Sequence, residues 1–122
     1  MHPQHRASDD VKRLRQAAGQ WLRSLRERRC LSQRELASRV GVEYYTFISQ
    51  LETGRGRIPP DRYRVWAQVL GVDAQGFVRE LMRFYDPVTY ELLFPGLAGA
   101  VPPVAANESS SPASTDEEGI RV

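Results

Sequence analysis

Residues 31–55, LSQRELASRVGVEYYTFISQLETGR, place the strongest constraint on the fold. Ser32 is followed three residues later by Glu35, which is the capping-box pattern that begins a helix. Gly41 stands where the end of a helix commonly needs a left-handed residue. Gly54 supplies a second stop after another apolar-periodic segment. The stretch therefore predicts two short helices joined by a tight turn.

Each of the two predicted helices has one apolar face. Residues at helical spacing are Leu36, Ala37 and Val40 in the first helix, and Tyr44, Phe47, Ile48 and Leu51 in the second. The opposite face of the second helix carries hydrogen-bonding side chains, namely Thr46, Ser49, Gln50 and Thr53. Such a face can enter the major groove of duplex DNA. A plain helical packing module is the alternative on these residues alone.

The order of residues favours the DNA-binding alternative over the packing module. The relevant groups are Leu31-Ser32-Gln33, Glu35-Leu36-Ala37, Gly41-Val42, Ile48-Ser49-Gln50-Leu51-Glu52 and Gly54. In this order they resemble the helix-turn-helix of the phage repressor/Cro (XRE) family, over about residues 19–81. The resemblance implies an all-α, compact five-helix repressor-like domain that binds double-stranded DNA. One residue more than the family spacing lies between Gly41 and Ile48, which predicts a longer turn.

The resemblance also implies which positions contact bases. One count runs back from Ile48, which matches the family's buried isoleucine, and the other runs forward from Gly41. We prefer the first because Ile48 must be buried for the helix to dock. A tyrosine at the helix start can instead pack on the body, which we expect of Tyr44 more than of Tyr45. The first count gives Tyr45, Thr46 and Gln50, with Ser49 on the same face, and the second gives Glu43 and Tyr44.

Other residues are predicted to contact the DNA backbone or to hold the motif together. The predicted phosphate-binding residues are Gln33, Arg34, Arg55 and Arg57. Gln33 can use its side chain and a helix N-terminal amide, and the last two arginines lie on a loop kept non-helical by glycines and prolines. In proteins that this sequence resembles, an arginine matching Arg26 pairs with a glutamate matching Glu52. The resemblance therefore implies a structural ion pair.

The charge distribution is consistent with a polyanionic partner. Residues 1–85 contain 16 Lys and Arg against 9 Asp and Glu, a net charge of +7, whereas residues 86–122 carry −5. Phosphate contacts supply much of the affinity of DNA-binding proteins. One face of the first predicted helix is strongly basic, although a solvated surface is the usual fate of such a run. Its residues are Lys12, Arg13, Arg15, Arg23, Arg26, Arg28 and Arg29.

The predicted organisation begins with a flexible arm over residues 1–8 and a DNA-binding domain over residues 9–85. Ser8, followed by two aspartates, is the predicted N-cap of a helix that either runs unbroken to about Arg29 or breaks near Gly19. Cys30 is expected to be a small, partly buried residue at the end of that helix.

Later segments complete this organisation. Pro60 or Asp61 can begin a fourth helix, in which Trp66 fills the core, and Asp73 can cap a fifth. Residues 86–97 predict a short helix, too apolar to be solvated, that packs on the body or forms a subunit contact. Residues 98–122 have the composition of a disordered acidic tail.

The functional expectation is a sequence-specific transcriptional regulator of bacterial or phage type, most simply a repressor that binds DNA as a homodimer. RNA polymerase or a toxin protein are further candidate partners. The alternatives are the antitoxin of a toxin–antitoxin pair and a helical protein–protein adaptor. No catalytic constellation, cofactor motif or metal-ligand cluster is recognisable, so an enzyme is not expected. No apolar run is long enough to cross a bilayer, and the cytoplasm is the expected compartment.

Overall fold

The computed structural model describes the backbone of residues 3–96 and the side chains from residue 9 onward, and this part of the chain is all-α. The predicted acidic tail, residues 98–122, lies outside the described residues. The described helices are α1 (Pro3–Arg28), α2 (Gln33–Val40), α3 (Thr46–Glu52), α4 (Tyr63–Leu70), α5 (Ala74–Tyr85) and α6 (Pro87–Leu93), with a 3-10 helix at Pro60–Arg62.

The first helix is longer than predicted. It begins at Pro3 and continues without a break past Gly19 to Arg28. Residues 3–8 are therefore helical rather than a flexible arm, and Ser8 is not an N-cap. Proline is favoured at the first helical position because its missing N–H has no intrahelical partner there.

The end of α1 also differs from the prediction. Cys30 is exposed rather than partly buried, and its φ of 58° lies in the left-handed region. The Leu31 N–H donates to the Arg26 carbonyl at 3.2 Å, which closes the last turn in the manner of a Schellman motif. The chain reverses here and enters α2.

The core lies where α1 to α5 converge. Trp21 of α1 stacks on Phe77 of α5 with ring centroids 5.5 Å apart. The predicted role of Trp66 in the core is confirmed, because only 1% of that residue is exposed. Other large and fully buried side chains include Leu22, Leu36, Ile48, Leu51, Leu70, Phe77 and Leu81. These side chains fix the positions of the helices that carry the candidate site.

In residues 60–85 the helix ends are close to those predicted from the local sequence. Pro60–Arg62 forms a 3-10 turn before α4, so the predicted helix start at Pro60 or Asp61 is a turn too early for the α-helix. Gly71 ends α4 in the left-handed conformation. Asp73 caps α5 by accepting a hydrogen bond from the Gly76 N–H at 2.8 Å, as predicted.

The predicted short helix after Asp86 is present as α6. Tyr90 packs back on the body and is only 2% exposed. Val88, Leu92 and Leu93 are instead exposed to solvent by 70%, 78% and 59%. One side of α6 therefore packs inward, as one of the two expectations stated, and the subunit contact stays a prediction for the exposed apolar side chains. Among the described residues, no helix is long and apolar enough to cross a membrane.

Candidate nucleic-acid interface

The start of α2 is fixed by its own sequence. The Ser32 hydroxyl accepts a hydrogen bond from the Glu35 N–H at 3.0 Å. The Glu35 carboxylate in turn accepts one from the Ser32 N–H at 2.7 Å. Hydrogen bonding to Ser32, first through its backbone N–H and then through its side chain, lowers the pKa of the Glu35 carboxyl. The predicted capping box is therefore complete and satisfies two N–H groups that the helix cannot pair internally.

The turn after α2 runs over residues 41–45. Gly41 adopts a left-handed conformation there, with φ of 80°. Arg62, which immediately precedes α4, donates a hydrogen bond to the Val40 carbonyl at the end of α2. Together, α2 and the turn border an open concavity of about 510 Å³ that Arg34 and Tyr45 help to line.

Helix α3 has little local support. It is seven residues long, and the residue before it, Tyr45, makes no side-chain capping bond. Ile48 and Leu51 face the core and are 0% and 2% exposed. Burying each such side chain stabilises the fold by about 1.5–3 kcal/mol. A helix this short has too little intrinsic stability to form alone in water. Tertiary packing therefore holds α3 in place.

The closest support comes from α1. Gly19 faces the end of α3 so closely that a Cβ atom placed on it would lie 2.4 Å from the carbonyl oxygen of Glu52. The glycine that the sequence offered as a helix break is instead the point where two backbones meet. A second close contact between backbones is at Gly54, where an added Cβ would lie 2.9 Å from the backbone nitrogen of Gln16.

A buried ionic network ties α1, α2 and α3 together, as the resemblance implied. Arg26 Nε and Nη2 donate to the two Glu52 oxygens at 2.6 and 3.0 Å. Its Nη1 donates to the Leu31 carbonyl at 2.8 Å. The hydrogen bond with Glu52 raises the pKa of Arg26. Arg26 can form these three hydrogen bonds together only when α3 holds Glu52 in this position. The ion pair therefore fixes the orientation of α3.

Gln33 belongs to this network. Its side-chain Nε2 donates to Glu52 Oε1 at 3.0 Å. The sequence predicted that the Gln33 side chain binds a DNA phosphate. In the structure its amide nitrogen is already hydrogen-bonded to Glu52 within the motif. The backbone N–H of Gln33 still lies at the first position of α2, where a phosphate can approach.

The candidate base-reading residues lie together at the start of α3 and along its outer face. Thr46 and Gln50 are four residues apart and both exposed, so they share one face. Ser49 is half-buried beside them. Tyr44 is 67% exposed, so the expectation that it packs on the body is wrong. Glu43 and Tyr45 complete the exposed group in the turn, with Tyr45 39% exposed.

Arg34 lies beside this group rather than apart from it. Its guanidinium carbon lies 4.4 Å from the centroid of the Tyr45 ring, which is a cation–π contact between α2 and the turn. The contact restrains Tyr45 and leaves Arg34 exposed at the same surface. Arg34 therefore links the predicted phosphate-binding and base-reading sets.

The loop after α3 carries the remaining predicted phosphate contacts. Arg55 and Arg57 are both exposed. The Arg57 guanidinium carbon lies 4.7 Å from the centroid of the Tyr85 ring. Tyr85 Oη accepts a long hydrogen bond from the Ile58 N–H at 3.4 Å. The C-terminal end of α5 thus holds the loop against the body.

Three residues that support the site were missed from the sequence. Gly19 was left open as a possible helix break, because a single sequence does not distinguish a breaking glycine from one that allows close approach. Arg62 and Tyr85 act across long stretches of chain, on Val40 and on the loop after α3. No local pattern marks either role.

A comparison with protein families agrees with this geometry. The model of a family described as a helix-turn-helix domain matches residues 17–86, more than half of the chain and all of α2 to α5. No curated protein is significantly similar to the chain. The matched region contains the ionic network, the turn and the outer face of α3. The chain therefore belongs to the helix-turn-helix domain family and is a DNA-binding protein of that class.

Proposed function

We propose that the protein is a sequence-specific transcriptional regulator of the phage repressor/Cro type. The observation that carries the proposal is the division of α3 into two sides. Ile48 and Leu51 dock it on the body, while Thr46 and Gln50 face solvent. A short helix presented in this way is suited to the major groove, where each base pair has a distinct pattern of donors and acceptors.

The proposed mechanism is occupancy of an operator. Exposed arginines of the body contact the DNA backbone and set the register, and the outer face of α3 reads the bases. A protein bound across a promoter then blocks RNA polymerase, which makes repression the simplest outcome. The proposal includes no catalytic step and no cofactor, and it places the protein in the cytoplasm of a bacterial cell.

Gln50 provides the direct test of base reading. A glutamine can form two hydrogen bonds with adenine, so Gln50→Ala should weaken binding to the selected operator by about 1–3 kcal/mol and relax preference at one base pair. The operator is first selected from a random duplex pool, and binding is then measured by fluorescence anisotropy. Gln75→Ala is the control because it removes an exposed glutamine from α5. Equal losses on operator and random duplex would contradict the assignment.

We also propose that the protein binds its operator as a homodimer through α6. Val88 and Leu92 are four residues apart on one face of α6 and largely exposed, and the next residue, Leu93, is also exposed. Soluble proteins rarely leave such a surface uncovered. A two-fold dimer would place two copies of α3 on half-sites about one helical turn apart, or a multiple of it.

Replacing Val88, Leu92 and Leu93 with serine tests this surface while Tyr90 keeps α6 on the body. We expect the triple variant to sediment as a monomer and to bind a full operator without cooperativity. Thr89→Ser, on the same helix, is the control. If the unchanged protein is already monomeric on and off its operator, the homodimer is excluded. The apolar surface would then favour the antitoxin alternative, in which it binds a toxin partner.

A further inference from the structure

A basic site separate from the outer face of α3 lies beyond the end of that helix, where three parts of the chain meet. Gln16 of α1 lies against Gly54, the second residue after α3. Tyr85, the last residue of α5, reaches the same place through its hydrogen bond with the Ile58 N–H. The first half of α1, the loop after α3 and the end of α5 are therefore neighbours here.

Two arginines from different elements share the ring of Tyr85. The guanidinium carbon of Arg15 lies 5.5 Å from the ring centroid, and that of Arg57 lies 4.7 Å from it. These distances limit the separation of the two guanidinium carbons to about 10 Å. Stacking on an aromatic ring restrains each arginine and leaves the N–H donors at its edge available.

Neither arginine is neutralised by a carboxylate in the described part of the chain. Arg13 and Arg23, on the same helix, pair with Asp10 at 3.4 Å and with Glu27 at 3.0 Å. Arg15 and Arg57 have no such ion pair among the described residues. Burial raises the pKa of Tyr85, so its hydroxyl stays protonated at neutral pH and adds no negative charge. Two cations are thus held within about 10 Å of each other, with no carboxylate partner among the residues that the structure describes.

We propose that Arg15 and Arg57, stacked on Tyr85, bind phosphodiester groups of one DNA strand beside the C-terminal end of α3. The inference rests on the proposed function and extends its contact surface onto α1. Residue 15 lies before residues 17–86, which the family model matches. Arg57 and Tyr85 lie within that matched range, so the site joins one residue outside the range to two inside it.

The geometry favours a backbone over a single small anion. Forked guanidinium donors match phosphate oxygens. Phosphates repeat about every 3.4 Å along the axis of each strand, so two arginines within about 10 Å can reach neighbouring groups. The site follows directly on the helix that faces the bases, so a strand running past α3 would continue across it. A free phosphate would occupy only part of this arrangement.

The salt dependence of binding tests the pair in the full-length chain. Arg15→Gln and Arg57→Gln should each reduce the slope of log affinity against log salt concentration by about 1, and the double variant by about 2. The measurement uses a duplex lacking the operator, because a backbone contact acts on every sequence. Arg13→Gln is the matched control, since its guanidinium already has a carboxylate partner, and it should leave the slope unchanged.

Variants of Tyr85 test the role of the ring as a positioning group. Tyr85→Phe keeps the stacking surface and should retain the slope, whereas Tyr85→Leu should lower it as the double arginine variant does. Circular dichroism and thermal unfolding establish whether each variant is folded. Should Tyr85→Leu unfold, the arginine variants still decide the proposal, because Arg57 is exposed and Arg15 is only half-buried.

The outcomes separate this inference from the proposed function. A chain that binds no duplex overturns both. Salt-dependent binding that Arg15→Gln leaves unchanged overturns the two-arginine site alone. Inorganic phosphate at constant ionic strength is added as a competitor, and we expect it to displace little duplex. Strong competition that disappears in Arg15→Gln would assign the site to a free anion and overturn the backbone assignment.

Discussion

The two helices of the motif are stabilised in different ways. Helix α2 begins with a complete capping box and ends at a left-handed glycine, so both ends are specified within the segment itself. Helix α3 has seven residues and no side-chain cap at its start. It is held instead by Gly19, by the Arg26–Glu52 pair and by its own buried side chains.

This difference shows where the orientation of the candidate base-reading face of α3 is encoded. A helix as short as α3 is not stable alone in water. Its direction is therefore set by residues of α1 that precede it by about 26–33 positions. The sequence of α3 mainly decides which side chains are presented, while α1 decides how they are presented.

Removal of Arg26 should have the largest effect on this arrangement. Arg26→Met leaves the Glu52 carboxylate, whose side chain is only 5% exposed, without its cation. Breaking a buried pair in this way costs about 3–5 kcal/mol, measured as the free energy of unfolding in urea. Adding Glu52→Leu should recover part of the loss. A cost below about 1 kcal/mol, as found for exposed pairs, would show that the network does not hold α3.

A methyl group at Gly19 should have the next largest effect. Gly19→Ala forces α1 and α3 apart at the Glu52 carbonyl and should cost about 1–3 kcal/mol or more. We expect amide chemical shifts to change in α3 more than in α2, with weaker operator binding. Gly56→Ala is the control, because its nearest side-chain neighbour would lie 3.7 Å away. Similar shifts throughout α2 would show that the two helices are not held independently.

The smallest expected effect concerns α2 and depends on pH. Glu35 has a lowered pKa in the folded state, so its contribution to stability is present above its unfolded pKa. That contribution is lost as pH falls through the lowered value. Wild type should therefore melt at a higher temperature than Glu35→Gln at neutral pH, and the difference should vanish in acid. Glu91→Gln on α6 provides the control, and a constant difference at all pH values would exclude the capping-box carboxylate as its source.

Sequence reasoning succeeded where the determinants are local. Ser32, Glu35, Gly41 and Asp73 each act within a few residues, so their roles follow from the order of the chain. Tyr44 was counted with the second helix, whereas α3 begins at Thr46 and has no side-chain cap that would mark its start. Gly19 was ambiguous because its effect depends on a backbone more than thirty positions away. The packing of Tyr85 against two arginines depends on the tertiary fold in the same way.

The backbone contact at Gly19 has a consequence for how this protein could change its target. Because α3 is positioned by groups that face away from solvent, its exposed residues can be exchanged without disturbing the docking of the helix. Thr46 and Gln50 are the natural positions for a randomised library, with Glu43 and Tyr44 in the turn as a second set. New operator preferences should then arise by substitution at a few surface codons, while α1 preserves the geometry of binding.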